Sequence, residues 1–231
     1  MLYLICLSVW SVLFGCYQKK VDENTYNGLF ILTVDPWSIS ASKSDPENPS
    51  LFDEERLFLP DMKRVDVNPN IFYLYKHYQK SFYEIIIQRL KPGTIKLHKD
   101  GWLESEDISD SKLVKKLTNS KIQFYTNYAS ERVLSKIRVN YLEKIVEFLK
   151  TKGKVFLVRL PVNEDLYNVE ETFSNQFNEI MTELAFKNKI KYKDYNLDRD
   201  GLFFEDGLHL DSNSSLLLSS NIGVWVKENI Q

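Results

Sequence analysis

Cysteine is nearly absent: Cys6 and Cys16 are the only two in 231 residues. Both fall inside one apolar run at the N-terminus, so there is neither a disulfide framework nor a thiolate metal cluster. Histidine is almost as scarce. His77, His98 and His209 are the three present, with no i, i+4 ligand spacing among them, so no metal site is indicated and no cofactor is assigned. An excess of one charge is also missing, since 30 Lys and Arg face 32 Asp and Glu for a net charge of −2 and a pI near 6.0. That balance leaves no electrostatic footprint for nucleic acid or an anionic membrane. There is no internal repeat, no low-complexity tract and no linker-like stretch. The longest apolar run, residues 1–17, is too short for a comfortable membrane-spanning helix.

What is present is an ordinary globular composition, 43% hydrophobic and 27% charged, with 13 Tyr and 14 Phe to fill a core or line a surface. The length suits one α/β domain. Residues 1–17 admit two readings. Their length is that of a signal-peptide core, and Leu13-Phe14-Gly15-Cys16 resembles a lipoprotein processing site, which would place the chain in the cell envelope with membrane attachment through Cys16. No Lys or Arg precedes the run, however, and the other reading is a buried helix that covers the sheet after a strand absent from this chain, in a cytoplasmic protein.

Residues 18–231 read as a single domain. Gly28 opens a continuous run of branched and aromatic residues that suits a strand buried on both faces, stopped by Asp35-Pro36-Trp37. Asp35, Trp37, Ser38 and Ser40 follow that strand's carboxyl end, where open α/β sheets place their ligand crevice. Residues 41–68 form a long excursion with embedded apolar residues, a packed lid. Asn68-Pro69 starts a helix that Lys91-Pro92-Gly93 stops. The mixed composition of residues 94–128 reads as loops and short helices, so the lid or insertion spans about 41–128. From Ala129 the pattern is regular: a helix to Lys152, a buried strand at 155–160, a second helix at 164–188, a half-exposed edge-type strand at 189–195, and a terminal helix from Leu216. Such alternation predicts a three-layer α/β sandwich, a mostly parallel sheet flanked by helices.

The chemistry-bearing stretch is residues 201–213, GLFFEDGLHLDSN. Asp206 and His209 stand three apart in a Gly-punctuated loop just before an apolar helix, so the carboxylate can orient the imidazole and stabilise its protonated form. The two would be orienter and base of a nucleophile–base–orienter device.

This Asp-x-x-His-Leu segment, followed by a polar helix start and a final amphipathic helix, resembles the last motif of the SGNH hydrolases, the GDSL-like esterases and acyl-transfer enzymes. Residues 28–40 (GLFILTVDPWSIS) and 153–163 (GKVFLVRLPVN) suit later strands of that fold. The resemblance implies an SGNH or flavodoxin-like sheet, a serine esterase-like activity on ester-linked acyl groups of a small molecule or carbohydrate, and a serine after the first strand. The chain departs from the family there, because it has no Gly-Asp-Ser and no Gly-x-Ser-x-Gly. Two explanations fit. Either the chain is an N-terminally shortened relative, impaired for want of the serine block, or another serine serves. Ser38 and Ser40 are the best placed, with Ser8 and Ser11 behind them. The resemblance also implies an oxyanion-hole Asn, for which Asn163 can stand. Arg159, charged within an apolar strand, must face the crevice or find a carboxylate, and the crevice is preferred. The rival expectation is a non-catalytic cell-envelope lipoprotein or ligand-binding module whose aromatic-lined lid recognises a ligand.

Overall fold

In the computed structural model the described residues are 21, 24–49, 83 and 107–230, with the backbone of residues 2–5, 95–97 and 103–105. Eight strands are described. They are β1 (Leu2–Ile5), β2 (Gly28–Thr33), β3 (Ser40–Ser42), β4 (Ile95–Leu97), β5 (Leu103–Ser105), β6 (Arg132–Leu134), β7 (Gly153–Arg159) and β8 (Lys191–Asp194). Five helices accompany them: α1 (Ser111–Ser130), α2 (Lys136–Lys150), α3 (Glu164–Ser174), α4 (Phe177–Asn188) and α5 (Ser212–Asn229).

The main sheet has the order β1-β2-β7-β8, and every pairing in it is parallel. Side chains of a strand alternate between faces, and both faces of β2 and β7 are apolar, so each face recruits helices. Phe30, Leu32, Val155 and Leu157 pack with Leu142, Ile145, Val146 and Leu149 of α2 and with Phe177, Met181 and Leu184 of α4. On the opposite face Ile31, Phe156 and Val158 meet Leu218, Ile222 and Val226 of α5. Burial of a side chain of this size stabilises by about 1.5–3 kcal/mol, which is why the two-faced strands, and not the short antiparallel pairs β3–β6 and β4–β5, organise the domain.

Side-chain caps set where the helices begin. Asp110, Ser135, Asn163 and Asp211 accept from backbone N–H groups in the first turns of α1, α2, α3 and α5 respectively, each contributing about 1 kcal/mol. At its far end α4 closes on Lys189 in the left-handed region, with the Ile190 N–H donating to the Ala185 carbonyl at 2.9 Å.

The α/β class, the strands after Gly28 and Gly153 and the terminal helix follow the sequence reading, and β8 lies at the end of the described sheet as an edge-type strand. Elsewhere the structure corrects it. Residues 2–5 are a parallel strand beside β2, where the second reading of the apolar run expected a buried helix; such a run has no period that separates strand from helix. Residues 6–20, Cys16 among them, lie outside the described residues, as do most of the lid at 41–128, the helix expected at 68–91 apart from Tyr83, and His77 and His98. Residues 111–130 are one long helix rather than loops and short helices. Its many Lys, Asn, Ser and Thr residues mask a sparse stripe at Val114, Leu117, Tyr125 and Ala129. The helix expected from Ala129 starts only at Lys136, because residues 132–134 pair with β3. The helix expected over 164–188 is two, parted at Asn175 and Gln176.

The register of β2 on β7 rests on a close approach of two glycines. Gly28 and Gly153 are direct partners, and a Cβ on Gly153 would lie 1.9 Å from the Gly28 carbonyl oxygen. Gly153→Ala is expected to destabilise the fold by roughly 1–3 kcal/mol, whereas Gly223→Ala, on an α5 face with nothing within 4 Å, is expected to stabilise by about 0.5–1 kcal/mol. Denaturant unfolding of both variants measures the contrast.

Candidate functional site

Beyond β2 the chain turns sharply, and its polar groups are used in the turn. The Asp35 carboxylate Oδ1 accepts from the Ser38 N–H at 2.9 Å, and the Ser38 hydroxyl donates to the Asp35 carbonyl at 2.6 Å. The Ser40 hydroxyl donates to the Trp37 carbonyl at 3.0 Å. Both serines are buried. This turn aims the Trp37 indole N–H at Glu170 of α3, whose Oε1 accepts it at 2.8 Å.

Arg159, the last residue of β7, completes the cluster. Its Nη2 donates to Glu170 Oε2 at 2.6 Å and its Nη1 to Asp194 Oδ2 at 3.2 Å. The guanidinium also lies 4.9 Å from the Phe177 ring and 5.0 Å from the Tyr167 ring. Of the two placements open to it from sequence, Arg159 takes the ion pair, at 1% exposure.

The electrostatics follow from several carboxylates around one cation, Glu171 joining them at 3.8 Å from Nη2. Burial pushes the Asp35 carboxyl up to about 6, against the turn hydrogen bonds from Ser38 and Trp37 and the pull of Arg159. Burial likewise raises Glu170 to about 7; Arg159 pulls it down and the charge of Asp35 pushes it further up. Burial disfavours the Arg159 charge, but Glu170 and Asp194 outweigh it and hold the guanidinium protonated.

The Asp206–His209 loop is built independently. A bridge between Phe204 and Leu210 closes it, with the Glu205 N–H donating to the His209 carbonyl at 2.8 Å. Gly207 supplies the left-handed residue at φ +88°, and its carbonyl accepts from the Asn163 N–H at 2.9 Å, which pins the loop to the segment leaving β7. Asp206 Oδ1 accepts from the Leu208 N–H at 3.0 Å and the His209 N–H at 2.9 Å. Oδ2 lies 2.8 Å from His209 Nδ1 and 2.8 Å from Lys121 Nζ of α1. Burial would raise this carboxyl, but the donors from Lys121, His209 and Leu208 prevail and hold it well below the usual carboxylate range. An ionised carboxylate only accepts, so Nδ1 of the neutral ring carries the hydrogen and Nε2 keeps its lone pair. The His209 side chain is 71% exposed and that of Asp206 15%.

The two polar centres meet at Tyr125 of α1. Burial and then the charges of Asp35, Asp206 and Glu170 raise its phenol, and its ring lies 4.8 Å from Trp37. Tyr128 and Phe173 pack on the same indole at 5.8 and 4.6 Å. Together these side chains form an aromatic wall around the Trp37 indole.

Of the residues singled out from sequence, Asp206 and His209 meet, and Asn163 is drawn beside them. The Asn163 side-chain oxygen, however, caps α3 by accepting from the Asp165 N–H. Asp35 and Trp37 line the neighbouring cluster. The Ser38 and Ser40 hydroxyls donate to carbonyls of their own turn, and among the described residues no serine is hydrogen-bonded to the His209 ring. Sequence reasoning passed over Lys121, Tyr125, Glu170 and Asp194. Nothing local distinguishes Lys121 from Lys112, Lys115 or Lys116 on the same helix, while the charge of Arg159 in an apolar strand did call for a carboxylate. Among the described residues no group of acidic, His or Cys side chains could hold a metal ion. No protein-family model matches the chain, and no curated protein matches it.

The raised Asp35 pKa sets a pH dependence with a definite sign. A carboxyl that titrates near 6 when folded and near 3.9 when unfolded binds more protons in the native state between those values, so its contribution to stability falls as pH rises from about 4 to 6. Asp35→Asn retains the turn acceptor and cannot ionise. Its stability relative to wild type is expected to improve by about 2–3 kcal/mol between pH 4 and pH 8, read by urea unfolding at both pH values.

Proposed function

We propose that this chain is an SGNH-like, GDSL-esterase-related α/β domain of hydrolase type, in which His209 is the general base toward ester-linked acyl groups of a small molecule or carbohydrate and Asp206 orients it. The observation that carries the reading is the 2.8 Å approach of His209 Nδ1 to Asp206 Oδ2, on a loop tied to the carboxyl end of β7. In the neutral ring that bond leaves Nε2 with its lone pair toward an incoming hydroxyl, the arrangement that base-assisted attack requires. Protonated in that step, the imidazolium would face an anionic Asp206.

The nucleophile is the open element. Ser38 and Ser40 have their hydroxyls committed to backbone carbonyls. Ser8 stands three positions after β1, which ends at Ile5 beside β2, and it falls outside the described residues. Water attacking with help from His209 is the route that requires no serine.

A second reading, a non-catalytic cell-envelope lipoprotein or ligand-binding module, draws support from the exposure of His209 and from the aromatic wall of Trp37, Tyr125 and Tyr128. Labelling with a fluorophosphonate followed by peptide mapping, run beside hydrolysis of p-nitrophenyl acetate, separates the two. The hydrolase reading expects turnover that falls at least about 100-fold in His209→Ala, with a label on Ser8, Ser38 or Ser40 if a serine is used. Hydrolysis unchanged by His209→Ala would remove the imidazole from the chemistry, and absence of both turnover and label would favour the binding module.

A further inference from the structure

The Asp206–His209 pair has a third member that comes from a distant helix. Oδ2, the oxygen that His209 Nδ1 approaches at 2.8 Å, is equally close to Lys121 Nζ, at 2.8 Å. The other oxygen is occupied by two backbone N–H groups. The carboxylate is therefore held on all sides, and its position relative to the imidazole is set jointly by its own loop and by α1. Lys121 is 31% exposed in this contact.

Resting on the hydrolase-type reading, we propose that Lys121 is a positioning residue of the Asp206–His209 pair: its ammonium fixes Oδ2 and competes with the imidazole for it, and so governs how strongly the carboxylate draws on Nδ1–H. Two donors on one oxygen divide its negative charge. Without Lys121 the carboxylate would face the ring with its full charge and would favour the imidazolium more strongly.

The other ionisable groups nearby among the described residues are engaged elsewhere or turned to a different neighbour. On the loop, Glu205 Oε1 accepts from the Ile108 N–H at 2.7 Å, and Asp211 Oδ1 caps α5 through the Ser214 N–H at 2.8 Å. Asp107 Oδ1, ahead of α1, accepts from the Ser212 N–H and hydroxyl at 3.0 and 2.6 Å. Tyr125, one turn beyond Lys121, feels Asp206 together with Asp35 and Glu170. Lys121 is the side-chain cation recorded on Asp206 besides the imidazole itself. An ion pair that served stability alone would show its removal as a loss of stability, whereas sharing of Oδ2 is read at the ring itself.

The test uses the exposed ring as its own reporter. Diethylpyrocarbonate acylates neutral imidazole, so the rate of carbethoxylation of His209 in the full chain, followed by peptide mass spectrometry across a pH series, has a midpoint set by the ring's protonation. Lys121→Met is expected to move that midpoint upward by about half a unit or more, and Lys121→Arg to return it toward the wild-type position. Circular dichroism verifies the fold, and Lys121→Gln replaces the Met variant if that one does not fold. A midpoint in folded Lys121→Met or Lys121→Gln coincident with wild type overturns the proposal, as does failure of Lys121→Arg to restore it. Neither result depends on turnover. Ester hydrolysis indifferent to His209→Ala would defeat the hydrolase reading while leaving this measurement intact, and the reverse holds for an unmoved midpoint in an active protein.

Discussion

Arg159 sits where β7 ends, almost wholly withdrawn from water, and its neighbours are arranged around that fact. A guanidinium cannot shed its charge, so each surface that buries it must bring an acceptor. β8 brings Asp194, the direct partner of Arg159 in the strand register, and α3 brings Glu170. Glu170 in turn receives the Trp37 indole from the turn after β2. Four segments are thereby held in fixed relation at the carboxyl edge of the sheet, with Tyr167 and Phe177 packed against the cation. The Nε of Arg159 has no hydrogen-bond partner among the described residues, so the fork of Nη atoms carries the whole of the polar recognition. Removing either carboxylate would strand part of a charge in a poorly polarisable surrounding, which is a larger penalty than the pair's net contribution to stability.

Two polar centres with opposite tendencies lie on either side of Tyr125. Asp206 is saturated by donors and stays ionised, while Asp35 and Glu170 are crowded, desolvated and drawn toward their neutral forms. Carboxyl groups pushed apart in this way are a recurrent feature of sites that move protons, although structural ion-pair networks produce it as well. Trp37, whose indole N–H is bound to Glu170 of the inner centre, packs on Tyr125 and Tyr128 of α1.

The parts legible from sequence are those governed by short-range rules. The runs after Gly28 and Gly153 are apolar without a helical period, and the two glycines together with Asp35-Pro36 mark strand limits, so β2 and β7 could be read directly. Asp206 and His209 are close in sequence and separated by a glycine, so their meeting required only a loop. What was hidden depends on tertiary partners. α1 is polar on most of its surface and is held through Tyr125 and Lys121, whose companions come from the turn after β2 and the last loop. Asn175 and Gln176 divide α3 from α4 without a proline or glycine to announce it. β1 shares its apolar character with helices and signal segments, and only its pairing with β2 distinguishes it.

The stretch leading into α1 is also fastened to the histidine loop by two remote ties: Ile108 to Glu205 across 97 positions and Asp107 to Ser212 across 105. Closing so long a span forfeits chain entropy that neighbouring elements do not lose, so α2, β7, α4 and β8, which follow one another in the chain, can assemble before Asp206 gains its lysine. The acid–imidazole corner thus belongs with the late steps, alongside the equally remote pairing of β2 with β7. The Leu208 and His209 amides donate to one side-chain oxygen and not to a ladder, so their protons should exchange with solvent sooner than those of β7, which is paired on both sides.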